Sequence, residues 1–268
     1  MKITTLLENK TTCDALRCEH GLSLYIETAK HKILFDSGAS DAFWENAKAL
    51  GIDLAQVDIA FLSHAHNDHC GGLLTFLRGN RTAMVYLQKE AFGDYYVVTP
   101  TKCAFIGLDP KLHEYADRFV MAEGVTKIDE ELTLFSGIRT LALQSEANAT
   151  LREKVGGDYP RDTFRHEQDL LVTEHGKTVL FAGCAHSGIV NIINRAEDIL
   201  GRAPDYVFAG FHLYNPSLGQ SEPRALVDAV GERLRARKAT RYVTGHCTGD
   251  AAYAWLREAL GARLAYMA

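Results

Sequence analysis

The chain has 268 residues, 47% hydrophobic and 24% charged, with a net charge of −5. That composition excludes a disordered or collagen-like chain, and the mild negative charge gives no basic face of the kind that binds nucleic acid. No apolar run reaches the ~18 residues of a membrane span, and Glu8 interrupts the N-terminal stretch before it attains signal-peptide length. A cytoplasmic protein with no membrane and no nucleic-acid partner is expected. Its six cysteines form no CxxC pair, which reads as reduced thiols.

Strand patterns run over 2–7, 22–27 and 32–38, where Asp36 reads as a turn or cap residue. The short link Glu19-His20-Gly21 puts His20 near the site or on the surface, and the surface is the expectation. Residues 40–50 have helical spacing, with Ser40 as N-cap and Gly51 as stop. A short helix over 73–77 and a strand over 83–87 follow. Residues 91–122 are less regular and rich in aromatics. They read as an insertion over one end of the fold, serving as a lid, a dimer contact or a packed loop. A strand covers 132–135, and the polar stretch 145–165 reads as a mobile loop. The second half has strands at 170–174, 178–182, 206–211 and 242–244, and helices at 188–200, 223–237 and 249–260. Pro223 suits a first helical turn. No linker or repeat divides the chain, so one domain over 1–268 with the 91–122 insertion is expected.

One stretch carries chemistry. The apolar run Ile59 to Leu62 reads as a covered strand, and His64, His66, Asp68 and His69 arrive within the six residues after Ser63. On an extended segment, residues two apart point the same way, so His64 and His66 aim at one point. Neutral imidazole and carboxylate suit zinc first, with iron or manganese as alternatives, and one or two ions per chain are expected.

Four later segments place polar groups beside apolar strands. They are Phe164-Arg165-His166-Glu167-Gln168-Asp169, Gly183-Cys184-Ala185-His186-Ser187-Gly188, Gly210-Phe211-His212-Leu213 and Gly245-His246-Cys247-Thr248-Gly249. His246, after the penultimate strand, is the strongest further ligand, and His186 is next. His166, Cys184 and His212 stand as substrate-contacting or supporting residues, with His166 and Cys184 also open as ligands.

Ser63-His64-x-His66-x-Asp68-His69-x-Gly71-Gly72 resembles the metal motif of the metallo-β-lactamase superfamily. The resemblance implies an α+β fold, a four-layer αββα sandwich with a one- or two-metal site on its edge. It places His64 and His66 on the first metal, and Asp68 and His69 on the second. It puts the last metal histidine at His246, a bridging aspartate or a cysteine at the place of Cys184, and support beneath the metal loop at Asp36. The finer pattern around 19–23, 183–192, 210–213 and 246–249 is similar to one branch. That branch includes the dihydropterin ribofuranosylaminobenzene phosphate synthase of methanopterin biosynthesis and proteins described as metal-dependent hydrolases. This chain departs from it at Gly245 and at 264–268, where relatives add a strand with a glycine.

The leading expectation is therefore a metal-dependent hydrolase of a small-molecule ester or phosphoester. Metal-bound hydroxide is its nucleophile, and Asp68 serves as general base or second-metal ligand. Two alternatives stand beside it. One is a synthase joining a pterin to an aryl ribose phosphate, with Arg152, Lys154, Arg161 and Arg165 either meeting the phosphate or lying solvated on the surface. The other is a non-catalytic metal-containing ligand-binding protein. A homo-oligomer stays open.

Overall fold

A computed structural model describes residues 1–267. The chain begins with β1 (Lys2–Leu7), β2 (Ser23–Glu27), β3 (Lys32–Phe35), α1 (Ala42–Ala49) and β4 (Ile59–Phe61). The one-turn α2 (Asn67–Cys70), α3 (Leu73–Gly79), β5 (Met84–Gln88), β6 (Tyr95–Thr99), β7 (Lys102–Phe105) and β8 (Phe119–Ala122) follow. Next come β9 (Val125–Lys127), β10 (Leu132–Ser136), β11 (Leu151–Glu153), β12 (Gln168–Glu174), β13 (Lys177–Phe181) and α4 (Ile189–Leu200). The chain closes with β14 (Tyr206–Gly210), β15 (Tyr214–Asn215), β16 (Gln220–Ser221), α5 (Arg224–Ala236), β17 (Arg241–Gly245), α6 (Asp250–Leu260) and β18 (Leu264–Tyr266).

Two sheets carry the architecture, ordered β1-β2-β3-β4-β5-β8 and β18-β17-β14-β13-β12-β10-β9. Successive side chains point to opposite faces, and both faces of each sheet are covered. Ile33, Phe35, Ile59 and Phe61 of the first sheet meet Leu170, Val172, Val179 and Phe181 of the second. The residues between them point outward. Leu34 and Ala60 pack under α1 and α3 with Phe43 and Phe76, and Leu171 and Leu180 pack under α4, α5 and α6. The result is the expected α+β, four-layer αββα sandwich.

Three expectations are corrected. The stretch 145–165 is folded rather than irregular. It holds a 3-10 turn (Glu146–Thr150) and β11, which pairs with β6. Asn215 Nδ2 pins that turn by donating to Ala147 O at 3.0 Å and Thr150 Oγ1 at 3.1 Å. The chain also has a terminal strand, since β18 runs parallel to β17. Ser40 acts one residue outside its expected place. Asp41 is the N-cap of α1, and Ser40 Oγ accepts the Ala42 N–H at 3.1 Å. Within 91–122, β8 extends the first sheet, while β6 and β7 form a hairpin that joins β11 in a small third sheet.

β3, β4 and β5 are parallel, as are β13, β14, β17 and β18. Past their C-terminal ends the chain adopts left-handed backbone at non-glycine residues: Asp36 (φ 58), Ala185 (φ 54), His212 (φ 46) and His246 (φ 47). Such conformations cost about 1 kcal/mol or more each and gather where function needs them. All four residues lie at one end of the sandwich, with the His64–His69 stretch among them.

Candidate metal centre

The loop after β4 brings His64 and His66 to a ring-centroid separation of 4.7 Å, and His64 and His69 to 4.2 Å. Asp36, at the end of β3, holds that loop. Its carboxylate accepts the Ser63 N–H at 2.7 Å, the Ser63 hydroxyl at 2.7 Å and His69 Nδ1 at 2.6 Å. Because Ser63 Oγ gives its proton to Asp36, it accepts from His64 Nδ1 at 2.9 Å. Both rings therefore carry their proton on Nδ1, and their Nε2 lone pairs face inward.

The second sheet supplies two more histidines, each gripped by one asparagine. Asn148 Nδ2 donates to His186 O at 2.9 Å, and Asn148 Oδ1 accepts from His186 Nδ1 at 2.9 Å. Asn9 repeats the device on His246, at 3.3 Å to its carbonyl and 2.8 Å to its Nδ1. In each case the carbonyl contact fixes the amide's orientation, and that orientation fixes the imidazole tautomer. Glu167 and Glu8 complete the supports. Glu167 accepts the His186 N–H at 2.6 Å and the Ser187 N–H at 3.0 Å, and Glu8 accepts the His246 N–H. Gly183 is required by close approach, since a Cβ there would collide with Ser63 Oγ and lie 2.9 Å from His64 Nδ1.

Four Nε2 atoms thus converge. His69 and His246 Nε2 stand 3.1 Å apart, and His64 and His186 Nε2 stand 3.2 Å apart. Nitrogens facing one another at that separation need a proton or a cation between them, and with Asp68 beside them the donor set fits a divalent metal. Cys184 Sγ lies 3.2 Å from His69 Nε2. Asp68, His69, Cys184 and His246 form one group with donor atoms within 4.8 Å of one another; His64, His66 and Asp68 form a second, and His64, Cys184 and His186 a third. His64, Asp68 and Cys184 each belong to two of these groups.

Burial works against charge on His69, but Asp36 and Asp68 outweigh it and raise the imidazole to about 9, so a metal bound there displaces a proton from its Nε2. Burial also works against the Asp68 carboxylate, yet His69, His20 and His246 hold it well below the usual range. Burial pushes His64, His66 and His186 down, keeping them neutral as ligands must be.

His166 takes a supporting place. Its Nδ1 accepts the Ala65 N–H at 3.0 Å and its Nε2 donates to Asp162 at 3.0 Å, which leaves no lone pair for a metal. Asp162 Oδ2 also stands 3.5 Å from His66 Nε2. His212 is buried, 4.2 Å from the His186 ring between centroids, and neither of its ring nitrogens has a partner. His20 lies on the surface, with its side chain 45% exposed, and meets the site as well: its Nε2 is 3.3 Å from Asp68 Oδ2 and its ring stacks on His246.

Of these groups, His20, His66, Asp68, His186 and His212 line a cleft of about 400 Å³, together with Val97 of β6, Ile106 just past β7, and Pro216 and Ser217. Among the described residues, Lys102 is the one lysine or arginine lining it. The four basic residues of 145–165 are not among its lining residues. Arg165 pairs with Glu153 at 3.0 Å, and Arg161 is 69% exposed. Sequence reasoning did not find Asn9, Asn148, Asp162 or Lys102. Each is an ordinary polar residue in a loop or short strand, and none stands in a pattern that marks a site; the partners of Asn9 and Asn148 also lie far along the chain.

A sandwich whose edge gathers histidines, aspartate and cysteine around a shared centre defines a candidate metal-binding scaffold. The sequence profile of the metallo-beta-lactamase superfamily matches residues 16–246, and the chain belongs to that superfamily. It is similar to the 7,8-dihydropterin-6-methyl-4-(beta-D-ribofuranosyl)-aminobenzene-5'-phosphate synthase of Methanocaldococcus jannaschii, 28% identical over 93% of this chain and 88% of that protein. An uncharacterized protein of the same organism is 28% identical over 79% of this chain and 80% of its own length. The crystal structure of Tm1679, a metal-dependent hydrolase of the beta-lactamase superfamily, superposes with a TM-score of 0.81 at 26% identity, covering 98% of this chain and 94% of that one.

Proposed function

We propose that the chain is a metal-dependent hydrolase of a small-molecule ester or phosphoester, with zinc as its first-choice metal. The observation that carries the reading is the pair of Nε2–Nε2 approaches at 3.1 and 3.2 Å beside Asp68, which together with His186 lines an open cleft. When bound there, a divalent cation lowers the pKa of water to ~7 and polarises a carbonyl or phosphoryl oxygen.

The protein's own groups do the rest. Asp68 is held ionised, so it accepts a hydrogen bond from the attacking water and orients it. His20 donates to the same carboxylate from the cleft rim. His212 faces the cleft and is placed to hold the leaving group. His166 is sealed behind the loop and holds Ala65 between the two leading histidines. Lys102 favours a substrate with an anionic group near the mouth. A panel of esters, phosphodiesters and thioesters offered to zinc-loaded protein tests this. Turnover that disappears in His66→Ala supports it, and turnover of none contradicts it.

A second reading, synthesis joining a pterin to an aryl ribose phosphate, is favoured by the name of the relative that aligns over 93% of this chain. The two readings separate on one assay, product formation from that substrate pair against cleavage in the panel.

A further inference from the structure

We propose that Cys184, His212 and Cys247 form a further cation site for a thiophilic metal ion, adjoining the histidine–aspartate centre and sharing Cys184 with it.

The three side chains come from the ends of β13, β14 and β17, which lie side by side in the second sheet. All three are buried, all three line the cleft, and their donor atoms lie within 4.8 Å of one another. Donors around one tetrahedral zinc stand roughly 3.3–3.8 Å apart, given bond lengths near 2.3 Å to sulfur and 2.0 Å to nitrogen. Side-chain rotations of about an ångström therefore close the set.

A packing role accounts for the two thiols but not for His212. The residue is 5% exposed, and both ring nitrogens are buried without a geometric hydrogen-bond partner among the described residues, while the ring sits against the Cys247 sulfur. Leaving a buried polar group unpaired is costly, and this residue also adopts left-handed backbone at φ 46. The geometry around it is built for sulfur. The His212 N–H donates to Cys247 Sγ at 3.3 Å, and Gly210 has no Cβ where one would lie 2.5 Å from that sulfur. Two thiolates and an imidazole select zinc-like soft cations over calcium or magnesium. Binding one such dication takes the thiol protons of Cys184 and Cys247 into solvent, so the new charge is met by two thiolates.

Cadmium is the probe. Reduced, chelator-stripped wild type, Cys247→Ser, His212→Asn and His66→Ala are each loaded with cadmium, and bound metal per chain and thiolate-to-metal charge-transfer absorbance are recorded. The proposal predicts one ion fewer in Cys247→Ser and in His212→Asn than in wild type. Roughly half the absorbance should vanish in Cys247→Ser, since one of two thiolate donors is gone. His66→Ala should lose metal from the neighbouring centre and keep the absorbance. Equal counts and equal absorbance in wild type and Cys247→Ser overturn the proposal, whatever His66→Ala does. If Cys247→Ser does not fold, His212→Asn carries the same comparison of counts. Alkylation of Cys247 in wild type gives a further reading: protection by cadmium supports the site, and an unchanged rate overturns it.

Discussion

Asn148→Leu and Asn9→Leu probe the feature that does most to organise the centre. Each asparagine makes two hydrogen bonds to one histidine, at 2.9 and 2.9 Å to His186 and at 3.3 and 2.8 Å to His246. Leucine keeps the volume and removes both bonds. The ring then loses the partner that keeps its proton on Nδ1, so the Nε2 lone pair is present for only part of the time. Two ordinary hydrogen bonds are worth about 1–3 kcal/mol net, and loss of a partner behind a metal-bound histidine typically weakens metal affinity about 10–100-fold. The two magnitudes agree, because tenfold is ~1.4 kcal/mol. Zinc affinity measured by competition with a chromophoric chelator should fall by that factor in each variant, with the far-UV spectrum unchanged. Asn148→Asp, which keeps an acceptor for Nδ1, should lose less. If both leucine variants bind zinc within about twofold of wild type, the clamps do not set the tautomers and the argument from converging lone pairs fails.

Four other outcomes are expected. In metal-free protein His69 is raised to about 9 from 6.5. Its contribution to stability is thus full below pH 6.5 and lost as pH rises through 9. Burial pushes His64 and His186 down, so their contribution is present above pH 6.5 and drains away as pH falls below it. Thermal melts of stripped protein should show both slopes, and the alkaline one should vanish on metal loading. Lys102→Ala should raise KM for an anionic substrate several-fold with kcat little changed, while Arg161→Gln and Arg165→Gln leave both untouched; steady-state kinetics decide. Phe181→Ala, in the layer between the sheets, should cost about 3–5 kcal/mol in denaturant unfolding. Gly183→Ala should lower metal affinity more than stability, because its Cβ meets Ser63 and His64; chelator competition beside a thermal melt shows the split.

The four-layer sandwich was legible through the metal motif's resemblance, and its central strands through continuous apolar runs. Ile33-Leu34-Phe35, Leu170-Leu171-Val172 and Val179-Leu180-Phe181 are apolar throughout because each is covered on one face by the other sheet and on the other by helices. The metal motif was legible because His64, His66, Asp68 and His69 are local, and His186 and His246 stood out at strand ends. What sequence could not show is long-range and polar. Asn9 reaches His246 across 237 residues, and Asn148 reaches His186 across 38. An asparagine in a loop carries no pattern that names its partner. β11 escaped for a similar reason: three residues of irregular polarity become a strand only by pairing with β6. Nothing in Glu19-His20-Gly21 reveals that an exposed His20 also meets Asp68 at 3.3 Å.

Elemental analysis of protein purified without chelator or added metal tests the central claim most directly. The account predicts one or two zinc, iron or manganese ions per chain at the histidine–aspartate centre, with loss of metal in His66→Ala and in His246→Ala. Protein that contains none and refuses added metal, with its fold intact, would contradict it.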